Sequence, residues 1–357
     1  MPPVVPRWAA RWLIAAWTFA LWLLACGSPA PDLSRFSVDA RRSTFQRGAF
    51  PRRPSVELLQ VFSIGRLEGP EEQMFGIVFD ADLGPDGSVY VVDPQYRRVG
   101  AYDSAGGFRR WIGRTGQGPG EFMAPVQVVA FDSTIAVYDN QLGTISIFDT
   151  AGVFLRSFLV PVGFVEGVAR SPFDRILVAS ALVDTAQVLY YDSRGTALDA
   201  FFEAPTIGRL VRKDLPPRAG RVCAIDSKIL FANPWIYELA LLDPMQRSYT
   251  WVKHWSSQVL RPVASDTMGR SVTEQGAAIL GLECDSNYIV LAYFHLQTER
   301  LWFDFFDTSG NPLARLEFDR RREGPFPGAV AALRGDKLVT FRTRPYSQVF
   351  VYRVVRR

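Results

Sequence analysis

Residue types able to do chemistry are few in this 357-residue chain, and their spacing does not serve it. Two histidines occur, His254 in Lys253-His254-Trp255 and His295 in Phe294-His295-Leu296. Each lies in strand-like surroundings, without the repeated spacing of a metal site. No Gly-x-Ser-x-Gly nucleophile elbow is present. The stretch Gly113 to Gly120 lacks the Gly-Lys-Ser/Thr of a phosphate loop and leads into a strand, so its glycines read as a tight crossing. Asp80-Ala81-Asp82 with Asp86-Gly87 suggests a calcium loop, but the third acid comes late, and position 91 is Val where a bidentate Glu is needed. No catalytic residue, metal or cofactor is therefore expected. Cys223 and Cys284 precede two Asp turns in neighbouring units; an exported chain could pair them, but diverging inner strands favour two free buried thiols.

The third cysteine has a different setting. Residues 1–25 hold no acid, two arginines (Arg7, Arg11) and an apolar run from Trp12 to Ala25. That run is short of the roughly 20 residues of a membrane span and fits the apolar region of an export signal. It ends in Leu23-Leu24-Ala25-Cys26, which resembles the lipobox of bacterial lipoproteins. The resemblance implies cleavage before Cys26 and acylation of its thiol and new amino group. Gly27, where an Asp would signal inner-membrane retention, favours the outer membrane or cell surface, periplasmic or surface-exposed. Residues 26–54, rich in Ser, Pro and Arg without an apolar period, read as a flexible, lipidated tether. Its arginines are either solvated or set against anionic headgroups, at about 1 kcal/mol each.

Of 40 Lys and Arg residues two lie in the leader, leaving 38 against 36 Asp and Glu, so a nucleic-acid partner is not expected. What remains, residues 55–357, is organised by a recurring phrase: an aromatic or apolar residue, Asp, two residues, Gly. It occurs at Tyr102-Asp103-Ser104-Ala105-Gly106, Phe148-Asp149-Thr150-Ala151-Gly152, Tyr191-Asp192-Ser193-Arg194-Gly195 and Phe306-Asp307-Thr308-Ser309-Gly310, with a looser copy at Leu242-Asp243. Asp opening a type I turn and Gly closing it in the left-handed region join antiparallel strands. A second turn precedes each, at Asp86, Asp132, Asp174, Asp226, Asp285 and Asp336, followed by strands such as Val89-Tyr90-Val91-Val92 and Leu338-Val339-Thr340-Phe341. The first and second turns are separated by 17, 17, 18, 17 and 22 residues in five successive units. Two tight turns at near-constant separation describe a four-stranded meander, repeated as a propeller blade.

The sixth unit runs out of chain before its fourth strand, while Val56 to Phe62 is an unassigned strand at the other end. The expected architecture is all-β: a six-bladed propeller of four-stranded antiparallel blades, closed by that N-terminal strand joining the last blade. Trp111-Ile112-Gly113-Arg114 through Gly118-Pro119-Gly120-Glu121-Phe122, with Val91-Val92-Asp93 and Val137-Tyr138-Asp139, resembles the NHL repeat. The whole is similar to six-bladed propeller lipoproteins of the NHL/TolB-like group.

The uniform Asp turns all fall on one face, which reads as structural. The opposite face carries the varied loops, where binding residues concentrate. There the sequence places Arg66, Tyr96, Arg97, Arg114, Glu121, Gln141, Trp235, His295 and Arg344, and an insertion from Ser256 to Gln275. Trp, Tyr and Arg are common interface anchors. The expectation is a monomeric, non-catalytic envelope propeller that binds a protein or glycan partner through this face. The alternative is a propeller hydrolase or lyase with acid, His or metal chemistry at the channel mouth.

Overall fold

The computed structural model describes residues 42–46, 50–160, 164–171, 175–181, 186–203, 220–232, 238–243, 248–253, 262–263, 272–273, 277–295, 299–319 and 327–357. Residues 1–41, which include the expected leader and Cys26, as well as Trp235, His254 and most of the 256–275 insertion, lie outside these residues. Among the described residues no helix is long and apolar enough to cross a membrane.

The chain opens with β1 (Arg42–Gln46) and β2 (Val56–Ile64). Blade one is β3 (Asp80–Leu83), β4 (Val89–Asp93), β5 (Arg98–Tyr102) and β6 (Phe108–Ile112). A short parallel pair, β7 (Arg114–Thr115) and β8 (Glu121–Phe122), makes the crossing to blade two. Blade two is β9 (Pro125–Ala130), β10 (Thr134–Asp139), β11 (Thr144–Asp149) and β12 (Phe154–Leu159). Blade three follows as β13 (Phe164–Ser171), β14 (Arg175–Ala181), β15 (Ala186–Tyr191) and β16 (Ala197–Glu203). Blade four is β17 (Arg221–Ile225), β18 (Lys228–Ala232), β19 (Glu238–Asp243) and β20 (Ser248–Lys253), followed by the two-stranded β21 (Pro262–Val263) and β22 (Val272–Thr273). Blade five is β23 (Ala277–Cys284), β24 (Ile289–His295), β25 (Arg300–Phe306) and β26 (Pro312–Asp319). The last blade holds β27 (Ala329–Arg334), β28 (Lys337–Arg342) and β29 (Gln348–Arg356), and β2 is its fourth strand. β2 runs antiparallel to β29 from Val56 opposite Arg356 to Ile64 opposite Val349, so the two ends of the chain seal the ring.

Blade packing explains why the strands read as almost continuously apolar. A blade is buried on both faces, so alternate residues serve two different neighbours. Val89 and Val91 of β4 join the core shared with blade six, whereas Tyr90 and Val92 join the core shared with blade two. Ile135 and Val137 of β10 face blade one, and Ala136 and Tyr138 face blade three. Six such clusters occupy the six interfaces around the ring. Full burial of one of these valines or leucines contributes about 1.5–3 kcal/mol.

The Asp-x-x-Gly turns form as their residue types require. Asp103 Oδ1 accepts the N–H groups of Ala105 and Gly107, at 2.9 and 2.8 Å, and Gly106 N–H donates to Asp103 O. The same arrangement recurs at Asp192 and, in part, at Asp149 and Asp307. Each turn ends in a one-residue bulge beside its aromatic residue, as between Tyr190 and Tyr191. The aromatic residues Tyr102, Phe148, Tyr191 and Phe306 are all fully buried.

One sequence expectation is corrected. Cys223 and Cys284 are joined in a disulfide, their Cα atoms 5.7 Å apart. The inner strands β17 and β23 do not diverge as expected; β3, β9, β13, β17, β23 and β27 touch in sequence around the channel, and β27 returns to β3. Small residues permit this approach: a Cβ on Gly281 of β23 would sit 2.5 Å from Val330 O of β27. Described residues of the 26–54 segment also meet the ring. β1 lies parallel on the outer edge of blade four, paired with β20. Further along, the Phe50 ring sits 5.3 Å from that of Phe306, and Ser55 Oγ donates to Leu313 O at 2.8 Å. Residues 42–46 thus pair with blade four, and Phe50 and Ser55 touch blade five.

Candidate functional site: the loop face and the central channel

Two buried aspartates set the loop face of the first blades. Asp93, at the end of β4, accepts N–H bonds from Gly76, Ile77, Gln95 and Tyr96. Asp139, at the end of β10, likewise accepts from Met123, Ala124, Gln141 and Leu142. Each carboxylate thus ties a second-to-third strand loop to the blade crossing beside it, which is why Asp ends both Val-Val-Asp and Val-Tyr-Asp.

On this scaffold Tyr96 is 49 % exposed, and Arg97 adopts φ 53° beside it. Arg98 stacks its guanidinium 3.5 Å over the Trp111 ring, lies 4.8 Å over Tyr96 and pairs with Glu71 of the preceding crossing. That crossing also carries exposed Arg66 and Leu67, and its end exposes Ile77 and Phe79, at 42 and 54 %. Arg114 and Glu121 hold each other: Nε to Oε1 is 2.9 Å, and Glu121 Oε2 accepts Gly118 N–H. They brace β7 against β8. Gln141 is exposed on the Asp139-bound loop. Arg344 is exposed on the β28–β29 loop, whose Ser347 bonds Gly76 O and Val78 N–H of the blade-one crossing. His295 ends β24, opposite Ala277 and Arg300 in register; its side chain is outside the described residues, as is Trp235. The structure therefore groups Arg66, Tyr96, Arg97 and Arg344 on adjoining elements of blades one and six. Arg114, Glu121 and Gln141 lie on the junction with blade two and on blade two.

Sequence reasoning missed the channel. Asp80 and Asp82, two apart on β3, share one side of the strand, away from Asp86, which bonds Ser88 and Arg109 in the turn beyond. Asp80 Oδ2 accepts Val128 N–H at 3.1 Å, and Asp82 accepts Ala130 and Leu83 N–H at 2.7 Å each. Arg170 of β13 sits 3.6 Å from Asp82 and donates to Ala130 O. Arg334 of β27 bridges Leu83 O and Asp132 toward the Asp-turn end. Asp80, Asp82, Arg170, Arg221 and Glu283 are the charged residues lining a cavity of about 70 Å³.

Burial pushes Asp80 up to about 8, with Asp82 adding to the rise and Val128 N–H opposing it. Burial also raises Asp82, against Arg170, and raises Glu283 well above the usual carboxylate range, reinforced by Asp82 and Asp80. Burial raises Asp285 at the turn-face end, against bonds from Asn287 and Tyr288 N–H. Among the described residues no group of three or more His, Cys, Asp and Glu is arranged to hold a metal. The cluster is a mixed-charge plug able to hold a proton. Its signal was present in the sequence as charges on first strands that otherwise read apolar, namely Asp80, Asp82, Arg170, Arg221, Glu283 and Arg334.

No family model and no curated protein matches the chain. Its fold is similar to that of a "Putative exported protein" from Bacteroides fragilis, with a TM-score of 0.58 at 10 % identity, covering 89 % of this chain and 100 % of that one. A member of the DUF4221 family from Bacteroides vulgatus gives a TM-score of 0.55 at 10 % identity, covering 86 % and 100 % of the two chains. The WD40 repeats of RRP9 give 0.53 at 11 %, covering 84 % and 98 %. At such identities the likeness is one of fold, that of a β-propeller, here with six blades.

Proposed function

We propose that this protein is an exported propeller, moored by lipid at Cys26, that binds a protein partner through its loop face without catalysing a reaction. One observation carries the reading: exposed Leu67, Ile77, Phe79 and Tyr96 share the loop and crossing of blade one with Arg66 and Arg97, and Asp93 ties the Ile77 and Tyr96 backbone in place. Apolar groups rimmed by arginine mark protein interfaces. Rigid backbone lowers the ordering cost of association. Export is supported by the disulfide between Cys223 and Cys284, since disulfides persist in oxidising compartments, and by the name of the Bacteroides fragilis neighbour. The NHL-type glycine crossing and the lipobox support the lipoprotein subgroup. The hydrolase or lyase reading has less support, because the Asp82 oxygens are engaged by Leu83 and Ala130 N–H with Arg170 alongside.

The reading is tested in the producing cell. Tyr96→Ala combined with Arg97→Ala is expected to abolish co-purification of the partner while leaving the melting temperature unchanged. Undiminished co-purification would overturn it. Cys26→Ser is expected to move the protein from the membrane fraction to the soluble one.

A further inference from the structure

Between blades five and six, at the loop-face end of the inner strands, lies a second cavity of about 320 Å³. Leu280, Phe294, Ala329 and Phe341 line its apolar wall, and Arg342 and Arg344 its rim. It differs from the channel plug in chemistry: no acid lines it among the described residues. Its size falls in the range of about 300–1,000 Å³ typical of small-molecule sites, which combine apolar walls with a few polar groups.

The two arginines have different duties. Arg342 is committed to blade six: its guanidinium donates to Gln348 Oε1 and lies 5.1 Å over the Phe350 ring. Arg344 is exposed and has no ion-pair or hydrogen-bond partner among the described residues. The Arg342 charge, held in place, biases the rim toward anions, and Arg344 is left to meet one directly. A guanidinium matches a carboxylate in a two-pronged geometry.

We infer that this cleft is a binding site for a small amphipathic carboxylate, its aromatic or short alkyl body against Leu280, Phe294 and Phe341 and its anion on Arg344. The occupant is set by charge complementarity and size. A cationic ligand would face two arginines, and a fully polar one would gain nothing from the apolar wall. The site shares the loop face with the proposed partner surface but does not depend on it. Titration of the purified protein reads the cleft alone, whatever becomes of the partner.

The full anchored chain, held in phospholipid nanodiscs with empty discs as reference, is titrated with 4-phenylbutyrate by ligand-observed NMR. Saturable binding is expected, with butyrate at least about tenfold weaker because it lacks the apolar body. Arg344→Glu, on an exposed loop, should weaken 4-phenylbutyrate about tenfold or more and create binding of 4-phenylbutylamine, which the native protein does not take up. Absence of saturation below about 10 mM, far weaker than a useful site, would overturn the inference. So would equal binding of the acid by the native protein and Arg344→Glu.

Discussion

At the residue scale, the turn glycines and loop aspartates make separable demands. Gly195 has φ 87°, and a Cβ there would overlap the Phe158 ring of the preceding blade; Gly335 has φ 64° with nothing within 4 Å. Gly335→Ala should cost about 1–2 kcal/mol for the left-handed backbone alone, and Gly195→Ala clearly more, as read by urea unfolding. Asp93→Ala removes the acceptor of four N–H groups and should cost at least about 2 kcal/mol. Asp80 makes a pH-dependent contribution. Folded, it keeps its proton up to about pH 8; unfolded, it releases it near pH 3.9. The folded state binds more protons in that interval, so its contribution is fully present below about pH 4 and is lost as pH rises toward 8. Asp80→Asn, which keeps an acceptor for Val128 N–H, removes this loss. Its stability advantage over the native protein should therefore widen from pH 5 to pH 8, and a constant or shrinking gap would contradict the assignment.

At the element scale, the sequence is legible wherever a local geometry demands a residue type. Asp103-x-x-Gly106 and its copies announced their turns because an Asx-capped type I turn closing at positive φ accepts little else. Val56 to Phe62 was legible as a strand whose partner had to be the chain's other end. Long-range contact was not legible. Asp82 and Arg334 reach the same Ala130 backbone only after the ring has closed. The Cys223–Cys284 pair depended on how closely β17 approaches β23 once the ring is closed. β1 pairs with β20 through backbone bonds, which leave no apolar period to read. The disulfide joins two blades across 61 residues of chain. Replacing both cysteines with Ala should lower stability by about 2–4 kcal/mol, and reductant should do the same to the native protein but not to the variant.

At the scale of the whole molecule, six similar sheets share their buried faces in a ring, and the chain's two ends close it. The Asp turns occupy one face of that ring, and the candidate residues Arg66, Tyr96, Arg97, Gln141 and Arg344 occupy the other. Of these, Arg66, Tyr96, Gln141 and Arg344 are exposed and Arg97 is half-buried, while Arg114 and Glu121 brace a crossing. The channel charges were visible one by one on apolar first strands, but their convergence was not, because those strands are distant in sequence. Photo-crosslinking in intact cells tests the binding claim directly, with a benzophenone side chain placed in turn at Tyr96, at Gln141 and, on the turn face, at Ala105 and Ala151. The account predicts one discrete adduct from the loop-face positions and none from the turn face. The same adduct from Ala105 and Ala151, with none from Tyr96, would contradict it.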